Sequence, residues 1–204
     1  MLDRALDLFF PPRCMCCNAP GNALCRRCVP ETTPLQRRIF GLDVRALAPY
    51  DGVWRRAVLA LKDGRRDIAA ALGERLGAAL QAEDRHLIGI PTSAARRLRR
   101  GFDGGELLAS IAASADGRAT SRPLRFVARD RQRGRSRAER LVARGRFHVG
   151  NESLAGCSVT LVDDVCTTGT TLADAASALR ARGAIVERAL VVALTDLGRK
   201  RGER

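Results

Sequence analysis

Aromatic residues are scarce in this chain. One Trp, one Tyr and six Phe occur among 204 residues. A core must therefore be built from Ala, Leu, Val and Ile. With apolar residues at 46% of the sequence, that is adequate for a domain of this size. Long apolar runs are missing as well. No stretch of about 18 apolar residues is present to cross a bilayer. Met1 to Phe10 carries Asp3, Arg4 and Asp7 among its apolar positions, which removes the uninterrupted apolar region of a signal peptide. Leu2, Ala5, Leu6, Phe9 and Phe10 are spaced as a short amphipathic helix instead, and the expected compartment is the cytoplasm. Two nucleotide signatures are also lacking. There is no G-x-x-x-x-G-K-S/T phosphate loop and no G-x-G-x-x-G dinucleotide fingerprint. Acidic residues are outnumbered, 22 Asp and Glu against 36 Lys and Arg, for a formal charge of +14 and a pI near 11.0. That excess fits a nucleic-acid partner, an active site for a polyanion, or the arginine and alanine bias of a GC-rich genome. The length suits one α/β domain with a small appendage.

The most informative stretch is Val159 to Thr171, V-T-L-V-D-D-V-C-T-T-G-T-T. A β-branched run leads into two adjacent carboxylates, Asp163 and Asp164. A loop of threonines around one glycine follows, and then a helical pattern with Leu172, Ala175, Ala176 and Leu179 on one face. The N-terminus of a helix offers unpaired backbone N–H groups and partial positive charge. Thr167, Thr168, Gly169, Thr170 and Thr171 can therefore hold an anion. The carboxylates suit a different task, accepting hydrogen bonds from a sugar diol or holding a hydrated Mg²⁺. A phosphate beside a polyol describes a phosphorylated sugar. The bland alternative, in which the acidic pair ends a buried strand and caps a helix, leaves the order of the other positions unexplained.

This stretch resembles the phosphoribosyl-pyrophosphate (PRPP) motif of the type I phosphoribosyltransferases. The resemblance implies that Asp163 and Asp164 bind the ribose hydroxyls, directly or through Mg²⁺ and water, and that Thr167 to Thr171 cradle the 5′-phosphate. It implies nothing about the acceptor.

Five of the seven cysteines fall between Cys14 and Cys28. Cys14-x-x-Cys17 and Cys25-x-x-Cys28 make two knuckles separated by N-A-P-G-N-A-L, whose turn residues can bring them together. Four thiolates so spaced form a tetrahedral zinc site. Disulfides are the alternative in an oxidising compartment, and a redox dithiol is another. So small a module has little core of its own, and metal would supply most of its stability. Cys16 lies between ligands and is a substitute for Cys14 or Cys17. Cys157 and Cys166 read as ordinary small side chains.

Between these landmarks, V-P-E-T-T-P-L is a linker with Pro30 and Pro34 as breakers. Residues 44–49 read as a strand, and a helix begins near Gly52. A second helical stretch, 67–81, is weakened by Gly73 and Gly77. His86 to Ile90 reads as a buried strand ending at Pro91. The loop Pro91, Thr92, Ser93 then opens a segment bearing Arg96, Arg97, Arg99 and Arg100. This is a second polyanion site, of the kind a pyrophosphate leaving group requires as charge builds on it; the alternative is a solvated arginine face. Leu124 to Ala128 reads as another strand. Arg129 to Arg146 is dense in arginine, with only Asp130 and Glu139 against it. It reads as a basic loop that closes over a bound polyanion or lies on a nucleic-acid backbone. Its lack of aromatics argues against base stacking. Lys62, Arg129 and Arg140 are further candidates for closing the site or stabilising charge.

The order of these features resembles the ComF competence family over nearly the whole chain. The resemblance rests on the four-cysteine module, Tyr50-Asp51-Gly52, Ala60-Leu61-Lys62, Arg100-Gly101-Phe102, Gln132, Glu139-Arg140 and the PRPP motif. Three positions depart from it. Asp103-Gly104 stands where many relatives have Asn-Gln, Ala143 replaces an Asn, and Arg135 replaces a Leu. The resemblance implies a zinc module over 1–34 and, over 43–198, an α/β type I phosphoribosyltransferase fold with a mostly parallel sheet flanked by helices. It also implies structural Zn²⁺ on Cys14, Cys17, Cys25 and Cys28, and Mg²⁺ with PRPP. The reaction implied is displacement of pyrophosphate from PRPP by an acceptor nitrogen. A role in natural DNA uptake follows from the same family, with single-stranded DNA and competence machinery such as a DNA-uptake helicase as partners. The rival is a non-catalytic DNA-uptake factor whose PRPP pocket is a sensor or a relic. A plain nucleic-acid-binding zinc protein would explain the charge and the cysteines but not Val159 to Thr171.

Overall fold

The computed structural model describes residues 11–29, 32–127, 145–150 and 152–195. The stretch expected to form a helix at 2–10 and the basic segment from 128 to 144 lie outside them, as do Arg129, Gln132, Arg135, Glu139, Arg140 and Ala143.

The alternation of apolar side chains along three central strands sets the architecture. In β3 (His86–Gly89) Leu87 and Ile88 face opposite ways. The same holds for Leu161 and Val162 in β7 (Ser158–Cys166), and for Leu190 and Val191 in β8 (Ile185–Leu194). Strands apolar on both faces need cover on both. On one face Leu87, Val162 and Leu190 pack with Trp54, Val58 and Leu61 of α1 (Gly52–Lys62), Ile68, Leu72 and Leu76 of α2 (Arg66–Ala78), and Leu108 and Ala112 of α4 (Gly104–Ala115). On the other, Ile88, Leu161 and Val191 meet Leu172, Ala175, Ala176 and Leu179 of α5 (Thr170–Arg180). Leu124 of β5 (Leu124–Phe126) and Phe147 of β6 (Phe147–Val149) join that side.

Two further strands, β1 (Leu35–Ile39) and β2 (Leu42–Pro49), and the short β4 (Ala119–Ser121) complete a six-stranded sheet of order β1-β2-β8-β7-β3-β4. Only the β1–β2 pairing is antiparallel. β5 and β6 form a separate antiparallel pair. The expected α/β fold, a mostly parallel sheet with helices on both faces, is borne out. A short helix, α3 (Ala94–Arg100), follows β3 and buries none of its residues.

The glycines that weaken the helical pattern of α2 have a packing role. A Cβ on Gly73 would come within 2.6 Å of Ile111 Cβ, and one on Gly77 within 2.9 Å of Ala115 Cβ. Their absence lets α2 lie directly against α4, and that contact outweighs their propensity cost of about 1 kcal/mol each.

One charged network is buried in the apolar interior. Arg45 of β2 donates to the fully buried Asp84 and to the Ala79 carbonyl at 3.1 Å. Asp84 also accepts from the Gln81 amide and from Thr160 Oγ1 of β7, both at 2.8 Å. Burial works against the Asp84 charge, but the Gln81 amide, Arg45 and Thr160 together hold its carboxyl below the usual range. The network ties β2, the turn before β3, and β7 to one another. Asp84→Ala leaves Arg45 buried without a counter-charge and is expected to cost about 3–5 kcal/mol. Urea unfolding checks this as a lowered midpoint with an unchanged slope.

Candidate functional site

β7 carries the acidic pair, but it does not end there. The strand continues to Cys166, with Asp163 opposite Val191 and Val165 opposite Ala193 of β8. The ladder extends because β8 is long enough to keep pairing, and the Thr195 amide closes it on the Cys166 carbonyl at 3.0 Å. The loop is therefore shorter than the sequence pattern suggests. Thr167, Thr168 and Gly169 make the turn, while Thr170 and Thr171 already lie in the first turn of α5. Gly169 caps the helix with φ of 79°. A Cβ there would fall 2.3 Å from Ile39 Cγ2 and 3.5 Å from Phe40 Cδ2 at the β1–β2 turn, so glycine is needed for both conformation and space.

Asp163, Asp164, Thr167 and Thr171 line a cleft of about 240 Å³ together with Lys62, Pro91, Thr92, Arg96, Arg100 and Arg146. Segments more than a hundred residues apart in sequence thus meet at the carboxyl ends of β3 and β7. Thr168, Gly169 and Thr170 complete the turn beside it. Ser93 acts as the N-cap of α3, its hydroxyl accepting from the Arg96 amide at 3.4 Å. Arg97 and Arg99 are exposed and do not line the cleft. A larger cavity, about 460 Å³, lies between β1, β2 and the end of α2. None of its lining residues is acidic, whereas the smaller cleft is lined by two adjacent carboxylates.

Lys62, the last residue of α1, reaches across to Asp164, Nζ to Oδ1 3.3 Å. Burial first, and then the charge of Asp164, pushes the Asp163 carboxyl well above the usual carboxylate range, against the pull of the Asp164 amide and Lys62. Burial and the Asp163 charge likewise push the Cys166 thiol up to about 11. Cys166 is buried, 2% exposed, and its thiolate form is disfavoured there.

Three contributors were not legible as site elements in the sequence. Asp103, marked there only as a departure, is buried. Its Oδ2 accepts from the Thr92 amide at 2.7 Å and so fixes the Pro91–Ser93 loop. Its Oδ1 and the nearby Arg100 Nε are buried without hydrogen-bond partners among the described residues. Arg146 bonds Thr170 and Thr171 across the cleft. Phe126 and Phe147, edge to face at 5.9 Å between centroids, form an apolar wall. An acidic residue before two glycines was the only local signal for Asp103.

The cysteine cluster forms as spaced. The Sγ atoms of Cys14, Cys17, Cys25 and Cys28 all lie within 4.8 Å of one another, a set that can hold a metal ion in tetrahedral geometry. Burial opposes the Cys14 thiolate, yet the amides of Cys17, Cys25 and Cys16 bring its pKa down to about 6. Hydrogen bonds with Cys17 and Cys25 raise Cys28 to about 12. The module does not stand apart. Ala23, Leu24 and Val29 join the core beside Trp54 and Leu72, and Arg75 donates to the Leu24 carbonyl at 2.7 Å.

No protein-family description matches the chain. It is similar to the competence protein ComFC of Bacillus subtilis (strain 168), 28% identical over 177 residues, which is 83% of this chain and 72% of that protein. The expected resemblance to a ComF competence protein is borne out at this level of similarity, and the cysteine cluster that goes with it is present. Among solved structures, the orotate phosphoribosyltransferase from Aeropyrum pernix is similar at 24% identity and a TM-score of 0.39, over 63% of this chain and 59% of that one. The glutamine PRPP amidotransferase from B. subtilis is similar at 24% identity and a TM-score of 0.47, over 61% of this chain and 26% of that one. The chain therefore spans less than two thirds of either solved structure. No helix among the described residues is long and apolar enough to cross a membrane.

The raised Asp163 carboxyl has a stability consequence. The folded state holds this proton at pH values where the unfolded chain has lost it. That contribution to stability is present below the ordinary carboxylate range and is lost as pH rises through the higher folded value. Asp163→Asn is expected to raise the melting temperature at neutral pH and to leave it nearly unchanged in acid. Calorimetric scans of both proteins across pH check this.

Proposed function

We propose that the cleft binds PRPP together with Mg²⁺ and transfers the phosphoribosyl group to a nitrogen acceptor. The observation that carries this reading is the meeting in one cleft of two kinds of residue. Asp163, Asp164, Thr167 and Thr171 suit a phosphorylated polyol, and Thr92, Arg96 and Arg100 suit a polyanion. Asp163 and Asp164 accept from the ribose hydroxyls. Thr167 to Thr171 and the first amides of α5 donate to the 5′-phosphate. Pro91, Thr92 and Ser93 shape the pyrophosphate end, where Arg96 and Arg100 offset the charge that builds as the bond at C1 breaks. The carboxylate pair fits Mg²⁺, an oxygen-seeking ion that keeps several waters; when bound it would neutralise charge between the ribose and the pyrophosphate. Lys62 holds Asp164 oriented until then.

Cys14, Cys17, Cys25 and Cys28 hold structural Zn²⁺ in this reading. Similarity to a competence protein supports a role in DNA uptake, with single-stranded DNA and uptake machinery as partners. The exposed basic helix α3, free of buried residues, suits contact with a phosphate backbone. A second reading, a PRPP sensor without turnover, is favoured by Asp103. Its carboxyl lies directly behind the pyrophosphate loop, where a negative charge would oppose the leaving group.

Two expectations follow for purified protein. Asp163→Asn with Asp164→Asn abolishes PRPP binding in titration calorimetry while the circular dichroism melt is retained; unchanged affinity would remove the proposal. Pyrophosphate release with candidate bases then separates enzyme from sensor. Separately, metal analysis finds one zinc per chain, and Cys25→Ser loses it with a larger drop in melting temperature than Cys157→Ser causes.

A further inference from the structure

The threonine turn contains no cation between residues 167 and 171. Its hydroxyls and amides are neutral donors, and one turn further along α5 sits a carboxylate, Asp174. Residues three and four apart share a helix face, so Asp174 projects on the side of Thr170 and Thr171. An anion held by those hydroxyls would meet a negative charge.

Arg146 answers that charge. It lies immediately before β6, where buried Phe147, packed edge to face on Phe126, anchors the backbone. Its Nε is 3.1 Å from Asp174 Oδ2. Its Nη1 donates to Thr171 Oγ1 at 3.1 Å and its Nη2 to Thr170 Oγ1 at 3.2 Å. The side chain is 42% exposed and lines the cleft, so a ligand can reach it.

The direction of these bonds matters. A guanidinium only donates. Each threonine oxygen that accepts from it keeps its own O–H to donate elsewhere; Thr171 lines the cleft, and Thr170 Oγ1 lies 3.2 Å from Thr168 Oγ1. Donation by a charged group also polarises that O–H and strengthens the next bond in the chain. We infer that Arg146 is the residue that makes this turn selective for a phosphate: it offsets the charge of Asp174, holds the Thr170 and Thr171 hydroxyls in place with their O–H groups available to donate, and offers its remaining N–H groups to the phosphate oxygens. A neutral ligand group, such as a free 5′-hydroxyl, draws no bond of the same charge-assisted strength from the guanidinium. This assignment rests on the reading of the cleft as a PRPP site and names a residue outside the sequence motif.

The test uses the full chain, wild type, Arg146→Met, and Arg146→Met with Asp174→Asn. Titration calorimetry with three probes, PRPP, ribose 5-phosphate and pyrophosphate, each with Mg²⁺, gives separate readouts for the two ends of the cleft. Arg146→Met is expected to weaken PRPP and ribose 5-phosphate by about tenfold or more, the scale of a lost charge-assisted bond. Adding Asp174→Asn recovers part of that loss, and pyrophosphate affinity stays as in the wild type. Ribose 5-phosphate binding by Arg146→Met at wild-type strength overturns the assignment. So does an equal loss for pyrophosphate, which would mark a collapsed cleft. A wild type that binds ribose 5-phosphate but not PRPP sinks the PRPP reading while the Arg146 comparison still stands or falls on its own. A wild type that binds none of the three overturns both.

Discussion

Two carboxylates on adjacent residues near the end of a mostly buried strand repel each other and are partly withdrawn from the water that would normally solvate them. Much of the surrounding structure answers that constraint. α1 ends at the position where Lys62 can reach Asp164. The Asp164 amide donates to Asp163 Oδ1 at 2.8 Å, the Thr turn begins three residues after Asp164, and the positive end of α5 follows at Thr170. Even so, the Asp163 carboxyl stays raised above the usual range. The pair is electrostatically unfavourable where it stands, a local cost to stability of the kind that marks binding clefts.

The rest of the fold keeps that strained pair in place. Asp163 and Asp164 belong to the β7–β8 ladder and not to a free loop, so their backbone is fixed by hydrogen bonds on both sides of the acidic step. Lower in the same strand, Thr160 is tied to Asp84 and through it to Arg45. That buried network resists any register shift of β7 relative to β2 and β3, because a shift would separate charges that have no water to turn to.

The parts legible in the sequence are those with local, repetitive signals. The β7–turn–α5 unit combined a β-branched run, an acidic pair, hydroxyl residues and a helical spacing in one uninterrupted stretch. The cysteine knuckles likewise carried their geometry in their spacing. What stayed hidden depends on partners far away in the chain. Arg45 and Asp84 are separated by 39 residues, and neither position looks like a core residue by itself. β1 was missed because L-Q-R-R-I is an edge strand with a polar side, a pattern shared with loops. Gly73 and Gly77 read as helix breakers because the surface they fit, Ile111 and Ala115, lies on another helix. Arg146 was one arginine among many, and only its distance to Thr170, Thr171 and Asp174 sets it apart.

The docking of the cysteine module onto α2 links two parts of the chain that the sequence presents as separate. Leu24 and Val29 complete the same core that Trp54 and Leu72 help to build, and Arg75 anchors the turn between the knuckles. A metal ion held by the four thiolates would bind the native chain and hardly at all the unfolded one. Its free concentration would then enter the folding equilibrium of the whole protein, in the manner of any ligand specific for the native state. The amount of folded protein, and with it the number of formed clefts, would rise and fall with the supply of an ion whose four thiolates lie outside the cleft lining.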